Sequence, residues 1–261
     1  MNNVVVIIPA YDEDKTVGEV VRRIRALQVM PVTPSILSKA GTSYLPTGQA
    51  GKLQVLVVDD GSSDQTAEAA REAGALVLSH LINRGLGAAL ATGLAGALSL
   101  AADVIVTLDA DGQHDPAEIQ KLIEPIIKGE VDVVIGSRFL SSSHYSSPLA
   151  GEARRGGVVP RSRRLANYCG NLFTYLLFGI HVTDSQSGFR AFSAEAARKI
   201  KIRTNTMEVS SEIIREIKLR NLKLKEVPIT PIYTEYSLSK GQGFLKGLET
   251  LWKLIVLKFF R

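Results

Sequence analysis

The sequence predicts an α/β protein of the Rossmann-like type, with a mostly parallel sheet flanked by helices. Two observations lead to this prediction. Short runs of β-branched residues, such as Val4–Ile8 and Leu53–Val58, have the unbroken apolar character of strands buried on both faces. Between these two runs, Lys15–Leu27 places its apolar residues at helical spacing. Strands and helices therefore alternate along the chain, as they do in parallel sheets.

The remaining elements continue this alternation. Asp64 is positioned to cap a helix over Gln65–Ala73, and Pro116 begins a helix that ends near Ile127. The Gly- and Ala-rich stretch Leu86–Leu100 predicts a helix packed closely on the sheet, because it is too weakly apolar for a membrane span. The other predicted strands are Leu76–Leu78, Val104–Leu108, Val131–Ile135 and Leu224–Ile229, and the other predicted helices are Arg163–Phe178, Met207–Leu219 and Phe244–Phe260.

Two segments interrupt the alternation. Met30–Lys52 has three prolines, several Ser, Thr and Gly residues and no hydrophobic period, which is typical of a flexible surface insertion. Leu140–Pro160 is rich in Ser, Gly and Arg and is interpreted as a loop, and the stretch His181–Arg190 is interpreted as irregular. We expect one domain over residues 1–243, with the insertion at about 30–52, followed by an amphipathic helix at 244–261.

Charge is distributed unevenly along the chain. Residues 1–150 carry 11 Lys and Arg against 17 Asp and Glu, whereas residues 151–261 carry 20 against 9. An acidic half suits a metal cation and a basic half suits phosphate groups or an anionic membrane surface, although two ordinary solvated faces are the alternative. The single cysteine, Cys169, rules out an internal disulfide and fits a reducing compartment. The first residues have no features of a signal peptide.

The last residues combine apolar side chains at helical spacing with interspersed cations. Trp252 and Phe259 alternate with Lys253 and Lys258 in this way. The pattern favours a helix in the membrane interface, so we expect a peripheral protein at the cytoplasmic face of a membrane. A helix packed on the domain itself or on a second subunit is the alternative, and homo-oligomerisation is left open.

Three acidic clusters follow predicted strands: Asp12-Glu13, Asp59–Asp64 and Asp109–Asp111. Parallel strands bring such clusters to one edge of the sheet, where α/β proteins bind ligands, although each cluster alone is also ordinary turn or cap chemistry. Carboxylates two residues apart, as in Asp109-Ala110-Asp111, can share a hard divalent cation, and Gln113 offers another oxygen. Such a cation would neutralise a departing diphosphate. We predict that His114, a softer ligand, is structural.

Five motifs occur in an order and spacing that carry a family resemblance: Ile8–Glu13, Val58–Asp64, Asp109–His114, Gly136–Arg138 and Asp184–Arg190. With these motifs, the chain resembles family 2 glycosyltransferases of the GT-A fold, and within them the polyprenyl-phosphate (dolichyl-phosphate) sugar synthases. The resemblance covers residues 3–243, apart from the insertion. Just before Ser239-Lys240, Glu235 and Tyr236 occupy the region where relatives carry a basic residue.

The resemblance implies a role for each matching residue. The implied metal is Mg or Mn, with Asp111 and Gln113 as ligands and Asp109 as a further candidate. Asp111, Arg138, Arg163 and Asp184 are the implied catalytic residues, with Arg163 at the acceptor phosphate. The residues implied in donor binding are Pro9, Ala10, Tyr11, Glu13, Val58, Asp60, Asp109, Ala110, Gln113 and Lys240.

The predicted function is inverting transfer of a sugar from a nucleotide-diphosphate donor, of the GDP-mannose or UDP-glucose/UDP-HexNAc type, to a polyprenyl phosphate. An arginine fork such as that of Arg138 matches phosphate oxygens, and an ionised phosphate needs no general base. No nucleic-acid partner is expected. Two alternatives are transfer to a saccharide hydroxyl with Asp184 as base, and a nucleotide-sugar-binding protein without turnover. Asp184 is equally suited to anchoring a turn.

Overall fold

The computed structural model describes residues 2–27, 52–140, 170–172, 174–176, 178–206 and 208–232, and the structural statements below concern these residues. Most of the predicted insertion, Arg163, Lys240 and the predicted helix at 244–261 lie outside them. Their roles therefore stay predictions.

One mixed sheet with helices on both faces forms the protein. Its strand order is β3-β2-β1-β4-β6-β5-β7. The strands are β1 (Val4–Ala10), β2 (Leu53–Asp59), β3 (Leu76–Ser79), β4 (Val104–Thr107), β5 (Val133–Ser137), β6 (Arg190–Ser193) and β7 (Leu224–Pro228). The helices are α1 (Val17–Arg25), α2 (Thr66–Glu72), α3 (Leu86–Ser99), α4 (Ile119–Ile127), α5 (Ala194–Lys199) and α6 (Val209–Leu219), with a 3-10 turn at Pro116–Glu118.

Two hydrophobic cores lie on opposite faces of the sheet. Val4, Val6 and Ile8 of β1 point into the core shared with α1 and α4, while Val5 and Ile7 point into the core shared with α3 and α6. All five side chains are fully buried. The alternation of side chains along a strand explains why this run is apolar at every position. The prediction of strands buried on both faces is confirmed.

Helix α3 packs unusually close to the sheet because it presents glycines to it. A β-carbon at Gly93 would overlap the side chain of Ile7, and one at Gly96 would meet Leu56. This confirms the prediction that the Gly- and Ala-rich stretch is a helix held tightly on the sheet. Among the described residues, no helix is both long enough and apolar enough to cross a bilayer.

Two elements of the structure, β6 and α5, are not predicted from the sequence. Strand β6 begins at Arg190, at the end of the stretch interpreted as irregular, and runs antiparallel to both β4 and β5. Its four residues are too few to show a period, and its pairing partners are about 55 or more residues away in the chain. Such a strand is formed by long-range contacts, which local patterns do not record.

Candidate active site

The predicted clusters meet at one edge of the sheet. In parallel register, Ala10 at the end of β1 pairs with Asp59 at the end of β2, and Ile7 pairs with Thr107 at the end of β4. Antiparallel β6 starts at this same edge, so its first residue, Arg190, lies between Thr107 and Ile135. The ends of the parallel strands and the beginning of the antiparallel strand therefore lie together at this edge.

The segments 11–16 and 60–66, here called the β1–β2 loops, are fastened to each other by short hydrogen bonds. The Asp12 carboxylate accepts from the backbone N–H of Ser63 at 2.9 Å, and the Asp12 N–H donates to Ser62 Oγ at 3.0 Å. The Glu13 N–H donates to Thr66 Oγ1 at 2.8 Å. Asp12 adopts a left-handed backbone conformation with φ of 52°. Beside this rigid pair, Tyr11 is exposed at the sheet edge.

Asp60 is buried and holds the loop that follows β3. Its carboxylate accepts from the backbone N–H groups of Arg84 at 3.0 Å and Gly85 at 2.6 Å, and it lies 2.6 Å from His80 Nδ1. The other ring nitrogen of His80 lies 2.9 Å from Thr92 Oγ1. Sequence reasoning missed His80, since a lone histidine after a strand carries no distinguishing signal. The predicted contact of Asp60 with a nucleotide stays a prediction.

The segment after β4 carries the predicted metal ligands. The Gln113 N–H donates to Asp111 Oδ1 at 2.9 Å, and the Gln113 side-chain amide donates to Asp111 Oδ2. His114 Nε2 lies 3.3 Å from Asp109 Oδ2, and the His114 ring packs on Phe189 with centroids 5.1 Å apart. His114 is thus buried against an aromatic ring and a carboxylate, which fits the predicted structural role.

The pKa values of Asp109 and Asp111 are shifted in opposite directions. Burial, followed by the charge of Asp109, raises the pKa of Asp111. Burial opposes the ionisation of Asp109, yet the hydrogen bond and charge of His114 and then the charges of Arg138 and Arg190 lower its pKa below the ordinary value. Two neighbouring carboxylates that repel each other are a setting in which a bound cation is favourable.

The donor set is suited to a magnesium-type ion bound together with a diphosphate. In the part of the chain that the structure describes, no three His, Cys, Asp or Glu side chains gather as a metal site. Mg²⁺ is commonly held by one or two carboxylates, with substrate phosphates and water as its other ligands. Asp109, Asp111 and the Gln113 amide fit that incomplete set.

The absence of a side chain at Gly188 leaves room for the Asp109 carboxylate. A β-carbon at Gly188 would overlap both carboxylate oxygens of Asp109. The carbonyl of Gly188 also accepts from Thr107 Oγ1 at 2.7 Å, which fixes this backbone against the end of β4. A residue larger than glycine would therefore displace the carboxylate.

Arg138 and Asp184 form a bidentate ion pair. Arg138 Nε donates to Asp184 Oδ2 at 2.7 Å and its Nη2 donates to Oδ1 at 2.8 Å, while the Arg138 backbone N–H also donates to Oδ2 at 3.1 Å. Asp184 is fully buried, and the Arg138 side chain is 23% exposed. A carboxylate held on both oxygens by one guanidinium is better suited to aiming the arginine than to accepting a proton.

Arg190 is a buried cation beneath these groups. Its Nη2 donates to the carbonyl of Ser185 at 3.0 Å, and its Nε has no hydrogen-bond partner among the described residues. Burial lowers its pKa to about 10, while the charges of Asp109 and Asp184 oppose the shift. Arg190 therefore remains charged at neutral pH. Together, Asp109, Asp111, Arg138, Asp184 and Arg190 are here called the β4–β5 cluster.

Comparisons with known proteins agree with this architecture. An uncharacterized protein of Methanocaldococcus jannaschii is 39% identical over 99% of this chain and 93% of its own length. A UDP-N-acetylglucosamine–dolichyl-phosphate N-acetylglucosaminyltransferase of Methanococcus voltae is 32% identical over 97% of this chain and 94% of its own length.

A solved structure shares the fold. Glucosyl-3-phosphoglycerate synthase from Mycobacterium tuberculosis, crystallised with Mn²⁺, UDP and glucosyl-3-phosphoglycerate, superposes with a TM-score of 0.66 over 98% of this chain and 78% of that chain. The same enzyme has been crystallised with Mg²⁺ and UDP. At 18% identity this likeness concerns the GT-A fold alone.

The family itself is identified by sequence. Residues 5–201, which run from the second residue of β1 to beyond β6 and include the whole of the β4–β5 cluster, match the family described as Glycosyl transferase family 2. This protein is therefore a glycosyltransferase of family 2 with the GT-A fold.

Proposed function

We propose that this enzyme transfers a sugar from a UDP-activated donor to a polyprenyl phosphate, with inversion at the anomeric carbon. The observation that carries the proposal is the β4–β5 cluster, which sets two arginines beside three carboxylates. The Methanococcus voltae relative, matched over nearly its whole length, is named for a UDP-sugar donor and a dolichyl-phosphate acceptor.

The carboxylates are assigned to the donor diphosphate. Asp111 and Gln113, with Asp109 as a further candidate, would hold a divalent cation. That cation would supply charge neutralisation of the leaving diphosphate. Asp109 is kept ionised by His114, Arg138 and Arg190. The protein thus keeps a negative charge at the place where a cation and a diphosphate would meet.

Arg138 is assigned to the phosphate groups. In the proposed reaction an acceptor phosphate oxygen forms a bond to the anomeric carbon of the sugar. The bond from that carbon to the diphosphate breaks, and the nucleoside diphosphate leaves with the electron pair. No proton has to be removed from an ionised phosphate, so no general base is needed. This agrees with the engagement of Asp184 by Arg138 on both oxygens.

The β1–β2 loops are assigned to the nucleotide. Pro9, Ala10, Val58 and Asp60 lie at or just beyond the ends of their strands, and Tyr11 and Glu13 follow in the adjoining loop. A side chain such as Tyr11, which is 46% exposed, is suited to packing on a nucleobase. The proposal also includes groups outside the described residues. Arg163 is assigned to the acceptor phosphate and Lys240 to the diphosphate. The helix at 244–261 is assigned to the membrane interface, which makes the protein peripheral at the cytoplasmic face.

An acceptor panel tests the proposal. The full chain is incubated with radiolabelled UDP-sugars or GDP-mannose and Mg²⁺ or Mn²⁺, and offered a polyprenyl phosphate, the matching polyprenol or soluble saccharides. We expect label in lipid only with the phosphate and a UDP donor, and none after EDTA treatment. Transfer to saccharides instead would support the alternative in which a hydroxyl is the acceptor. Donor binding without transfer to any acceptor would contradict the proposal.

A further inference from the structure

A carboxylate outside the family's motifs holds the turn that carries Asp184. Glu226 lies on β7, the edge strand, and pairs in register with Ile135 of β5. It is half-buried and therefore partly withdrawn from solvent. A charged side chain that is partly withdrawn from water needs hydrogen-bond partners that offset its lost hydration.

The Glu226 carboxylate accepts hydrogen bonds from two consecutive residues, Thr183 and Asp184. The Thr183 N–H lies 2.9 Å from both carboxylate oxygens of Glu226. The Thr183 hydroxyl and the Asp184 N–H also donate to Oε1, at 2.9 and 3.2 Å. One carboxylate thus accepts hydrogen bonds from two successive backbone N–H groups and a side chain. Such charge-assisted bonds fix the backbone that they hold.

The same turn is held from two other sides. Thr183 Oγ1 lies 2.6 Å from Ser137 Oγ, at the end of β5 and next to Arg138. Asn171 donates to the Thr183 carbonyl at 2.7 Å and accepts from the Ser185 N–H at 2.9 Å. The turn therefore has a defined place relative to the end of β5. Glu226 is the charged member of this set.

The position of the turn determines the position of Arg138. Asp184 holds the Arg138 guanidinium through two side-chain hydrogen bonds. Asp184 is also fully buried, so the surrounding protein keeps its carboxylate in place relative to the turn. If the turn shifts, the carboxylate of Asp184 shifts with it, and the guanidinium follows. A misplacement of about 1 Å in a catalytic group can reduce a rate on the order of a hundredfold.

We propose that Glu226 is a positioning residue for sugar transfer: its carboxylate fixes the Thr183-Asp184 turn and thereby aims the Arg138 guanidinium. The inference rests on the proposed function for the task given to Arg138, because Arg138 is there assigned to phosphate groups. Glu226 itself touches no reacting atom in this account and acts only through the turn.

The substitution Glu226→Gln tests this inference with little change of shape. It replaces one carboxylate oxygen with an NH₂ group, which cannot accept from the Thr183 N–H and faces that donor instead. The matched control is Asp132→Asn. The Asp132 carboxylate accepts from the Lys223 N–H at 2.7 Å, so it links β5 to β7 at the end of the strand pair away from the site.

The first readout needs no substrate. The Nε–H resonance of Arg138, assigned by its loss in Arg138→Lys, reports the bond to Asp184. We expect this resonance to shift and broaden in Glu226→Gln and to remain unchanged in Asp132→Asn. An unchanged Arg138 resonance in Glu226→Gln would overturn the inference, whether or not the enzyme transfers sugar to a polyprenyl phosphate.

The second readout is a double-mutant cycle on turnover. We expect Glu226→Gln to reduce kcat/KM by about tenfold or more, as the loss of charge-assisted hydrogen bonds does, and Asp132→Asn to leave it within about twofold. In an Arg138→Ala background, Glu226→Gln should have almost no further effect, because the group that it aims is gone. Equal losses in both backgrounds would show that Glu226 acts independently of Arg138 and would overturn the inference.

A milder variant keeps the test available if Glu226→Gln fails to fold. Thr183→Val removes the hydroxyl bonds to Glu226 and Ser137 and leaves the backbone N–H bonds to Glu226 in place. It should move the Arg138 resonance in the same direction by a smaller amount, and an unmoved resonance would count against the inference. If wild-type enzyme transfers no sugar to any acceptor, the proposed function fails, while the resonance still decides the role of Glu226.

Discussion

The β1–β2 loops and the β4–β5 cluster lie at the same edge of the sheet but are stabilised by different interactions. In the loops, backbone N–H groups pair with nearby oxygens of Asp12, Ser62 and Thr66. In the cluster, charged side chains hold one another: Arg138 holds Asp184 through a bidentate pair, and Arg190 is buried beneath them. The first region is a backbone framework and the second is an arrangement of charges.

Under the proposed function, we expect the two regions to divide the work between binding and chemistry. A backbone framework keeps its shape without a ligand, which suits recognition of a nucleotide by a preformed surface. An arrangement of charges in a partly buried setting acts most strongly on charge that develops during a reaction. We therefore expect changes in the loops to alter donor binding and stability, and changes in the cluster to alter the rate.

The largest effect is expected from Asp111→Asn. Loss of this carboxylate removes the main predicted anchor of a divalent cation, so kcat should fall on the order of a thousandfold. The matched control is Asp103→Asn. Asp103 precedes β4, as Asp111 follows it, and its carboxylate accepts from the Asn3 N–H at 2.7 Å. Turnover of Asp111→Asn at the level of the Asp103→Asn control would contradict a metal-binding role for Asp111.

The second largest effect is expected from Gly188→Ala. Its new methyl group would overlap the Asp109 carboxylate, so the carboxylate has to move from its present place. We expect kcat to fall on the order of a hundredfold, with a much smaller loss of donor affinity, because Asp109 is only one of the groups assigned to the donor. In the control Gly170→Ala, the nearest atoms of the described residues to the new methyl group lie 3.8 Å away. Weaker donor binding with unchanged kcat would contradict the expectation that changes in the β4–β5 cluster alter the rate.

A smaller effect is expected from Thr66→Val in the β1–β2 loops. The change keeps the shape of a fully buried side chain but removes the acceptor for the Glu13 N–H and the donor to Asp64. The free energy of unfolding should fall by about 1–2 kcal/mol, and the affinity for UDP, measured by calorimetry, should fall a few-fold. Ser99→Ala, at an exposed hydroxyl on α3, is the control. A lower kcat with unchanged UDP affinity would contradict the comparison.

The smallest effect is expected from removing most of the insertion, which connects α1 to β2. Replacing Ser35–Gly51 with a short Gly/Ser linker should leave UDP affinity and kcat within about twofold, because loop length changes the closure entropy only logarithmically. Loss of UDP binding in a folded deletion variant would show that the β1–β2 loops need the insertion as well as their own hydrogen bonds.

The two regions also differ in how much of them the sequence predicts. The ends of β1, β2 and β4 were predictable, because the apolar runs that form these strands stop at Asp12-Glu13, Asp59–Asp64 and Asp109–Asp111. Parallel pairing then brings these ends together. The bonds of His80 to Asp60 and of Glu226 to the Thr183-Asp184 turn were not predictable. Such contacts join residues 20 to 43 positions apart and leave no periodic signal.

Strand β6 shows the same limit in the fold. The sequence identifies Arg190 only as part of a motif, whereas its place under the site follows from antiparallel pairing with β4 and β5. The sequence leaves the role of Asp184 open for a similar reason. Its residue type allows either a base or an anchor, and only the bidentate contact with Arg138 favours the anchor.

We propose that a sugar passes from a UDP donor to a polyprenyl phosphate at the β4–β5 cluster. This transfer can be followed through the product of wild-type enzyme and of Asp111→Asn with a radiolabelled UDP-sugar, a polyprenyl phosphate and Mg²⁺. For wild type, we expect one UDP released per lipid-linked sugar, with the anomeric configuration inverted relative to the donor, and almost no product from Asp111→Asn. Release of UDP without labelled lipid, or retention of the anomeric configuration, would contradict the proposal.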